Sequence, residues 1–168
     1  MIDGGAPFYD VYETADGKHV AVGALEQRFY DELIERLGLD AAQLPDRRDR
    51  SQWPQLRARL RDTFRQKTRD QWCEILEAHD ACFAPVLSFG EAPLHRHNRA
   101  RKTFVEADGV TQPAPAPRFS RTPGAISRGA PLPGEGAAAL LSEWGFDSSA
   151  IARFRAAGAL ILDGQSDA

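Results

Sequence analysis

Glu26 stands directly behind the apolar run Val20-Ala21-Val22-Gly23-Ala24-Leu25 and just ahead of Phe29-Tyr30. A carboxylate in that place either suits a helix start, where the macrodipole favours negative charge, or works as an acid/base. By pattern alone the helix-start reading is favoured, because most charged residues are solvated. Two other groups carry candidate chemistry. His95-Arg96-His97 offers alternate imidazoles, but no further His or Cys stands nearby to complete a metal set. The basic run from His95 to Lys102 therefore reads as a solvated loop. Arg57, Arg59, Arg61 and Arg65, with Lys67 and Arg69 beyond and Trp53 nearby, resemble a nucleic-acid face. Asp62, Asp70 and Glu74 interrupt that face, and Leu56, Leu60 and Phe64 account for its other side, so an exposed helix face is the better reading. Cys73 and Cys82 are too few for a disulfide framework or a zinc site and read as reduced thiols. No phosphate-cradling glycine loop, nucleophile elbow or paired zinc ligands occur.

The elements that must position these groups follow from local pattern. Phe8, Tyr9, Val11 and Tyr12 form a strand, Asp16-Gly17 is a turn that tolerates positive φ, and His19 to Gly23 returns as the second strand of a hairpin. Phe29-Tyr30, Leu33-Ile34 and Leu37 then share one helical face, which Gly38 stops. Glu26 falls at that strand-to-helix junction. A second helix carries Trp53, Leu56, Leu60 and Phe64, with Ser51 as its expected N-cap and Pro54 in its first turn. Thr68-Arg69-Asp70-Gln71 matches a capping box and opens a third, with Trp72, Ile75 and Leu76 on its apolar face. Phe83-Ala84-Pro85-Val86-Leu87 reads as a short strand that Pro85 assigns to an edge. Asp108-Gly109 marks a turn between Phe104-Val105 and Val110-Thr111.

From Gln112 to Gly134 the composition changes, and six of the 11 prolines fall there. This is a stiff, extended connector. Two short helical stretches follow, one with Leu140, Leu141 and Trp144 before Gly145, the other from Ser148 through Ile151 and Phe154 to Gly158. The apolar Ala159-Leu160-Ile161-Leu162 suits a small strand or a docking tail. The expected class is α+β: a small antiparallel sheet with packed helices, then a Pro-rich linker and a C-terminal helical segment. The 168 residues carry 42% hydrophobic and 27% charged side chains and a net charge of −3, as in a soluble globular protein. That balance gives no nucleic-acid footprint. No apolar run is long enough to cross a bilayer, and the N-terminus lacks a signal-peptide layout, so a cytoplasmic protein with no membrane partner is expected.

The opening stretch is more specific than these patterns. Gly4-Gly5-Ala6-Pro7-Phe8-Tyr9, Tyr12-Glu13-Thr14-Ala15-Asp16-Gly17 and Ala21-Val22-Gly23-Ala24-Leu25-Glu26 with Phe29-Tyr30 closely resemble the alpha-methylacyl-CoA racemases of the family III CoA-transferase superfamily. The likeness continues through Trp72-Cys73, Asp80-Ala81-Cys82, Pro85-Val86, Pro115-Ala116-Pro117-Arg118 and Thr122-Pro123 to Gly134-Glu135 and Trp144-Gly145-Phe146. It implies a small domain over residues 1–112, a linker over 113–134, and a segment over 135–168 that docks on a large domain outside this sequence. That large domain would carry a catalytic His and Asp and most of the CoA site. The resemblance further implies an interlocked homodimer, with acyl-CoA as substrate and no separate cofactor. Glu26 would sit beside the large-domain His as an active-site residue, which reverses the preference drawn from pattern alone. Tyr9 would lie near the thioester, and Met1, Ile2 and Leu25 would match the surface along which the acyl chain lies. The chain alone is then expected to be inactive. A family III CoA-transferase part and a non-catalytic subunit that completes a separately encoded large domain are the alternatives. Gly134-Glu135-Gly136 departs from the Gly-Glu-His common in the family.

Overall fold

Alternation of residues that suit a half-buried sheet surface begins at Tyr9 and sets the first layer. The computed structural model describes residues 2–160, and the chain divides into two compact units, Met1–Ala92 and Pro93–Ala168. In the first, β1 (Tyr9–Glu13) and β2 (His19–Gly23) pair antiparallel, with Tyr9 opposite Gly23 and Val11 opposite Ala21. Gly17 closes the hairpin at φ +72°, and the Thr14 N–H donates to the Lys18 carbonyl at 2.9 Å. β3 (Phe83–Val86) pairs antiparallel with β2 and places Pro85 opposite Val20. The sheet order is β1-β2-β3, so Pro85 lies on an edge, where a missing N–H costs least.

Side chains alternate across that sheet. Phe8, Tyr12, Val20 and Val22 turn toward three helices and are buried, whereas Val11 and Val86 stay exposed on the opposite face. The helices are α1 (Gln27–Arg36), α2 (Trp53–Phe64) and α3 (Arg69–Leu76). Leu33, Leu56, Leu60, Phe64, Trp72 and Leu76 make the centre of the core. Each such side chain contributes about 1.5–3 kcal/mol by leaving water. Tyr12 stacks on Phe64 at 5.2 Å, and Trp72 meets Phe64 edge-on at 5.4 Å while its indole N–H donates to the Phe64 carbonyl at 2.8 Å. The capping box at Thr68 and Gln71 is formed in both directions.

Two local expectations are corrected. Ser51 does not cap α2: both its N–H and its hydroxyl go to the Asp49 carboxylate, which opens a 3₁₀ turn at Arg50–Gln52. The stronger, charged acceptor two residues upstream takes the donors, and α2 starts only at Trp53. Nor is His95 to Lys102 all loop, for α4 (Arg96–Ala100) forms a short helix whose C-cap is Arg101.

In the second unit, β4 (Phe104–Ala107) and β5 (Val110–Pro113) form a two-stranded hairpin. Its two central residues, Asp108 and Gly109, have φ of 51° and 75°, the mirror-image turn that matches strand twist. Residues 114–136 contain no helix or strand. α5 (Ala137–Glu143) and α6 (Ser148–Ala156) follow, and Asp147 caps α6 through the Ala150 N–H at 2.7 Å. Phe146 and Phe154 meet edge-on at 5.5 Å. Of the apolar tail expected after Gly158, Ile161 and Leu162 lie outside the described residues. The architecture is α+β, as expected from the sequence.

Candidate functional site

Glu26 is the last of the three residues between β2 and α1. Its backbone is extended, at φ −74° and ψ 147°, and it occupies the N-cap position of α1 without making a side-chain cap bond. The helix-start reading is thus right about place. The carboxylate is exposed and takes none of the free N–H groups of the first turn. Its main chain, by contrast, is fixed on both sides. The Leu25 N–H donates to the Gly23 carbonyl at 2.8 Å, and the Tyr30 N–H donates to the Glu26 carbonyl at 3.0 Å. The Leu25 carbonyl accepts from the Arg47 guanidinium at 2.5 Å.

The other expected residues distribute as follows. Tyr9 lines an open cleft of about 550 Å³ with Asp3, Gly4, Gly23, Cys82 and Phe83. Its ring lies so close over Gly23 that a Cβ added there would stand 3.4 Å from the ring edge. Gly23 also donates to the Cys82 carbonyl at 2.8 Å, which ties β2 to the start of β3 beneath that ring. Ile2 is 68% exposed, next in sequence to the cleft residue Asp3. Leu25 is half-buried and packs against the core. Met1 lies outside the described residues. Glu26 does not line the cleft, but its charge is felt at the cleft residue Cys82. Burial, then the negative charges of Asp80 and Glu26, push the Cys82 thiol up. Burial raises the Cys73 thiol to about 11. Both therefore stay protonated near neutrality and are weak nucleophiles.

Two findings were missed by sequence reasoning. The arginine-rich helix is not uniformly a solvated face. Arg57 pairs with Asp10 and donates to the Gly4 and Gly5 carbonyls at 2.9 and 2.8 Å, so it fastens the turn that holds the cleft's Asp3 and Gly4. Arg65 donates to Glu13 at 2.6 Å, and Arg69 is only 6% exposed. Arg59 and Arg61 stay exposed. The second missed residue is Arg47, which sits over the rings of Phe8 and Tyr30 at 4.1 and 4.3 Å. Arg47 belongs to Asp46-Arg47-Arg48-Asp49, a run that reads as ordinary solvated loop and carries no periodic signal.

What this arrangement offers is a carboxylate without a side-chain cap bond on a fixed main chain, and a largely apolar cleft that Tyr9 helps to line. A single carboxylate can accept a proton or orient a neighbouring cation. Among the described residues, no three His, Cys, Asp or Glu side chains gather as a metal site, and no helix is long and apolar enough to cross a membrane.

The sequence model of CoA-transferase family III matches residues 2–137. Alpha-methylacyl-CoA racemase of Mus musculus is 43% identical over 153 residues, covering 90% of this chain and 40% of the mouse protein. The Homo sapiens racemase is 42% identical over the same shares. A CaiB/baiF CoA-transferase family protein of Caenorhabditis elegans is 34% identical, covering 70% of this chain and 33% of its own. The chain thus spans about 40% of the length of the racemases it matches. A crystal structure of Rv3272 from Mycobacterium tuberculosis aligns at a TM-score of 0.60 with 17% identity, covering 71% of this chain and 35% of that one. That is a likeness of fold.

Proposed function

The chain belongs to CoA-transferase family III, and on that premise we propose that it is the small-domain part of an alpha-methylacyl-CoA racemase, with Glu26 in the active site. The observation that carries this reading is Glu26 itself: a carboxylate at a helix start that makes no cap bond, on a backbone held from both sides. Inverting a 2-methylacyl thioester removes the α-proton from one face of a planar enolate and returns a proton to the other. That needs two acid/base groups and stabilisation of the charge that develops on the thioester oxygen. The resemblance assigns those two groups to the His and Asp of the large domain. Glu26 would stand beside that His, orient its ring and stabilise its charged form, which tunes a base without replacing it. Tyr9 would lie near the thioester, and Ile2, Leu25 and Met1 would border the acyl chain, binding by area and so tolerating varied acyl groups.

In this reading residues 1–112 are the small domain, 113–134 the linker and 135–168 the segment that docks on the large domain, with a homodimer completing the site. The substrate is acyl-CoA and the work is done in the cytoplasm. The isolated chain is inactive. A transferase part is the second reading, favoured by the C. elegans relative. Chiral chromatography separates the two. Mixed with a separately expressed large domain of the family, the chain should convert (R)-2-methylacyl-CoA to an R/S mixture. Transfer of CoA to an added acid without inversion contradicts the racemase reading. Association without either reaction points to a non-catalytic subunit.

A further inference from the structure

We propose that Arg47 is a positioning residue for Glu26; this rests on the reading of Glu26 as the working carboxylate. The guanidinium lies between two aromatic faces, 4.1 Å from the centre of Phe8 and 4.3 Å from that of Tyr30. Its backbone is itself fastened, since the Trp53 indole N–H donates to the Arg47 carbonyl at 2.8 Å and the Trp53 ring meets Phe8 edge-on at 5.8 Å. Among the described residues no carboxylate pairs with it. Burial lowers its pKa, although a guanidinium remains charged in any case.

A half-buried guanidinium with no salt-bridge partner is costlier to hold there than an apolar side chain, which could pack on the same two rings. What the guanidinium adds is direction. Nη2 donates to the carbonyl of Leu25, the peptide that leads into Glu26, while Nη1 is buried with no partner. The Glu26 carbonyl is held from the other side by the Tyr30 N–H. Tyr30 and Arg47 are in turn stacked on each other, so the two groups that fix the peptides flanking Glu26 form one unit. Both peptide planes about the Glu26 Cα are set, and only the side-chain torsions remain free. A rigid origin for the carboxylate shortens its search for the catalytic imidazole, the kind of support that a working group needs from its neighbours.

The test uses the full chain, labelled with ¹⁵N and ¹³C, as the unaltered protein and as Arg47→Gln, Arg47→Met and Arg47→Lys. Met keeps an unbranched side chain over the rings and removes every donor; Lys keeps a charge and a donor. In Gln and Met the Leu25 carbonyl and Glu26 amide resonances should move, and the Tyr30 amide should exchange with solvent about 10-fold faster. The amides of Leu60 and Trp72 should stay as they were, and Lys should recover part of the protection. With the large domain added, kcat should fall while KM holds. Unchanged Glu26 and Tyr30 signals in either folded variant overturn the proposal. So does protection lost equally at Leu60 and Trp72, which marks Arg47 as packing alone. Glu26→Gln in the same mixture separates the two claims. If it leaves turnover unchanged, the reading of Glu26 fails whatever the Arg47 spectra show.

Discussion

The two units use apolar residues in opposite ways. In Met1–Ala92, a sheet and three helices close over Leu33, Leu56, Leu60, Phe64 and Leu76, all at 0% exposure. In Pro93–Ala168, Ile151 at 9% is the one buried hydrophobic side chain among the described residues, while Phe119, Leu132 and Trp144 stand 58%, 74% and 72% exposed. Apolar content alone therefore does not make a core. The first unit has a period-2 sheet face and period-3.6 helix faces that meet. The second has a two-stranded hairpin, a stretch without regular elements and three short helices, α4, α5 and α6, too little to cover its own surface. Exposed aromatic and aliphatic side chains such as these are available for the proposed docking on a large domain.

Four substitutions sharpen this contrast. Leu60→Ala should cost about 2–5 kcal/mol, because a fully buried site leaves a cavity it cannot collapse. Denaturant unfolding followed by Trp72 burial reads the loss, and a shift under 1 kcal/mol would argue against a closed core. Thr68→Ala should cost about 1 kcal/mol by removing one half of the capping box. The same titration reads it, with the Gln71 amide as local reporter.

The third is read from how stability depends on pH. Glu91 accepts both Arg69 Nη atoms, at 2.6 and 3.1 Å, and the Ser88 N–H at 2.9 Å. The Arg69 hydrogen bond, then those from Ser88, hold its carboxyl far below the ordinary glutamate range. A pKa lower in the folded than in the unfolded state gives stability that is present above the unfolded value, about 4.3, and fades as pH falls toward the folded one. With 37% of the Glu91 side chain exposed, solvent limits the worth of the pair. Glu91→Gln should therefore flatten, without abolishing, the loss of stability below about pH 4.3. Parallel acid limbs in the two proteins would contradict it. Smallest of all, Trp144→Ser should change unfolding of the first unit by less than about 0.5 kcal/mol. It should nonetheless weaken association with a large domain in a titration of the two parts.

Much of this was legible because it is local. The Asp16-Gly17 hairpin, the stop at Gly38 with φ 69°, the capping box and the Asp108-Gly109 turn each depend on a few adjacent residues. Pro85 on an edge strand followed from one missing N–H. Ser51 was misread because a cap is a competition, and Asp49 lay within reach of the same donors. Arg57, Arg65 and Arg47 were illegible for another reason. Their partners, Asp10, Glu13 and the Phe8–Leu25–Tyr30 cluster, come from the opening hairpin and first helix, and only the packed fold brings them together. The place of Glu26 was readable from strand and helix pattern. Its role was not, because a free N-cap carboxylate and a structural one have the same sequence neighbours.

The most direct test of that role is α-proton exchange on a 2-methylacyl-CoA in deuterated water, with the chain alone, with a family large domain added, and with Glu26→Gln in the same mixture. The account predicts exchange only in the mixture, and a loss of about 100-fold or more for Glu26→Gln. Exchange by the chain alone, or an unchanged rate for Glu26→Gln, would contradict it.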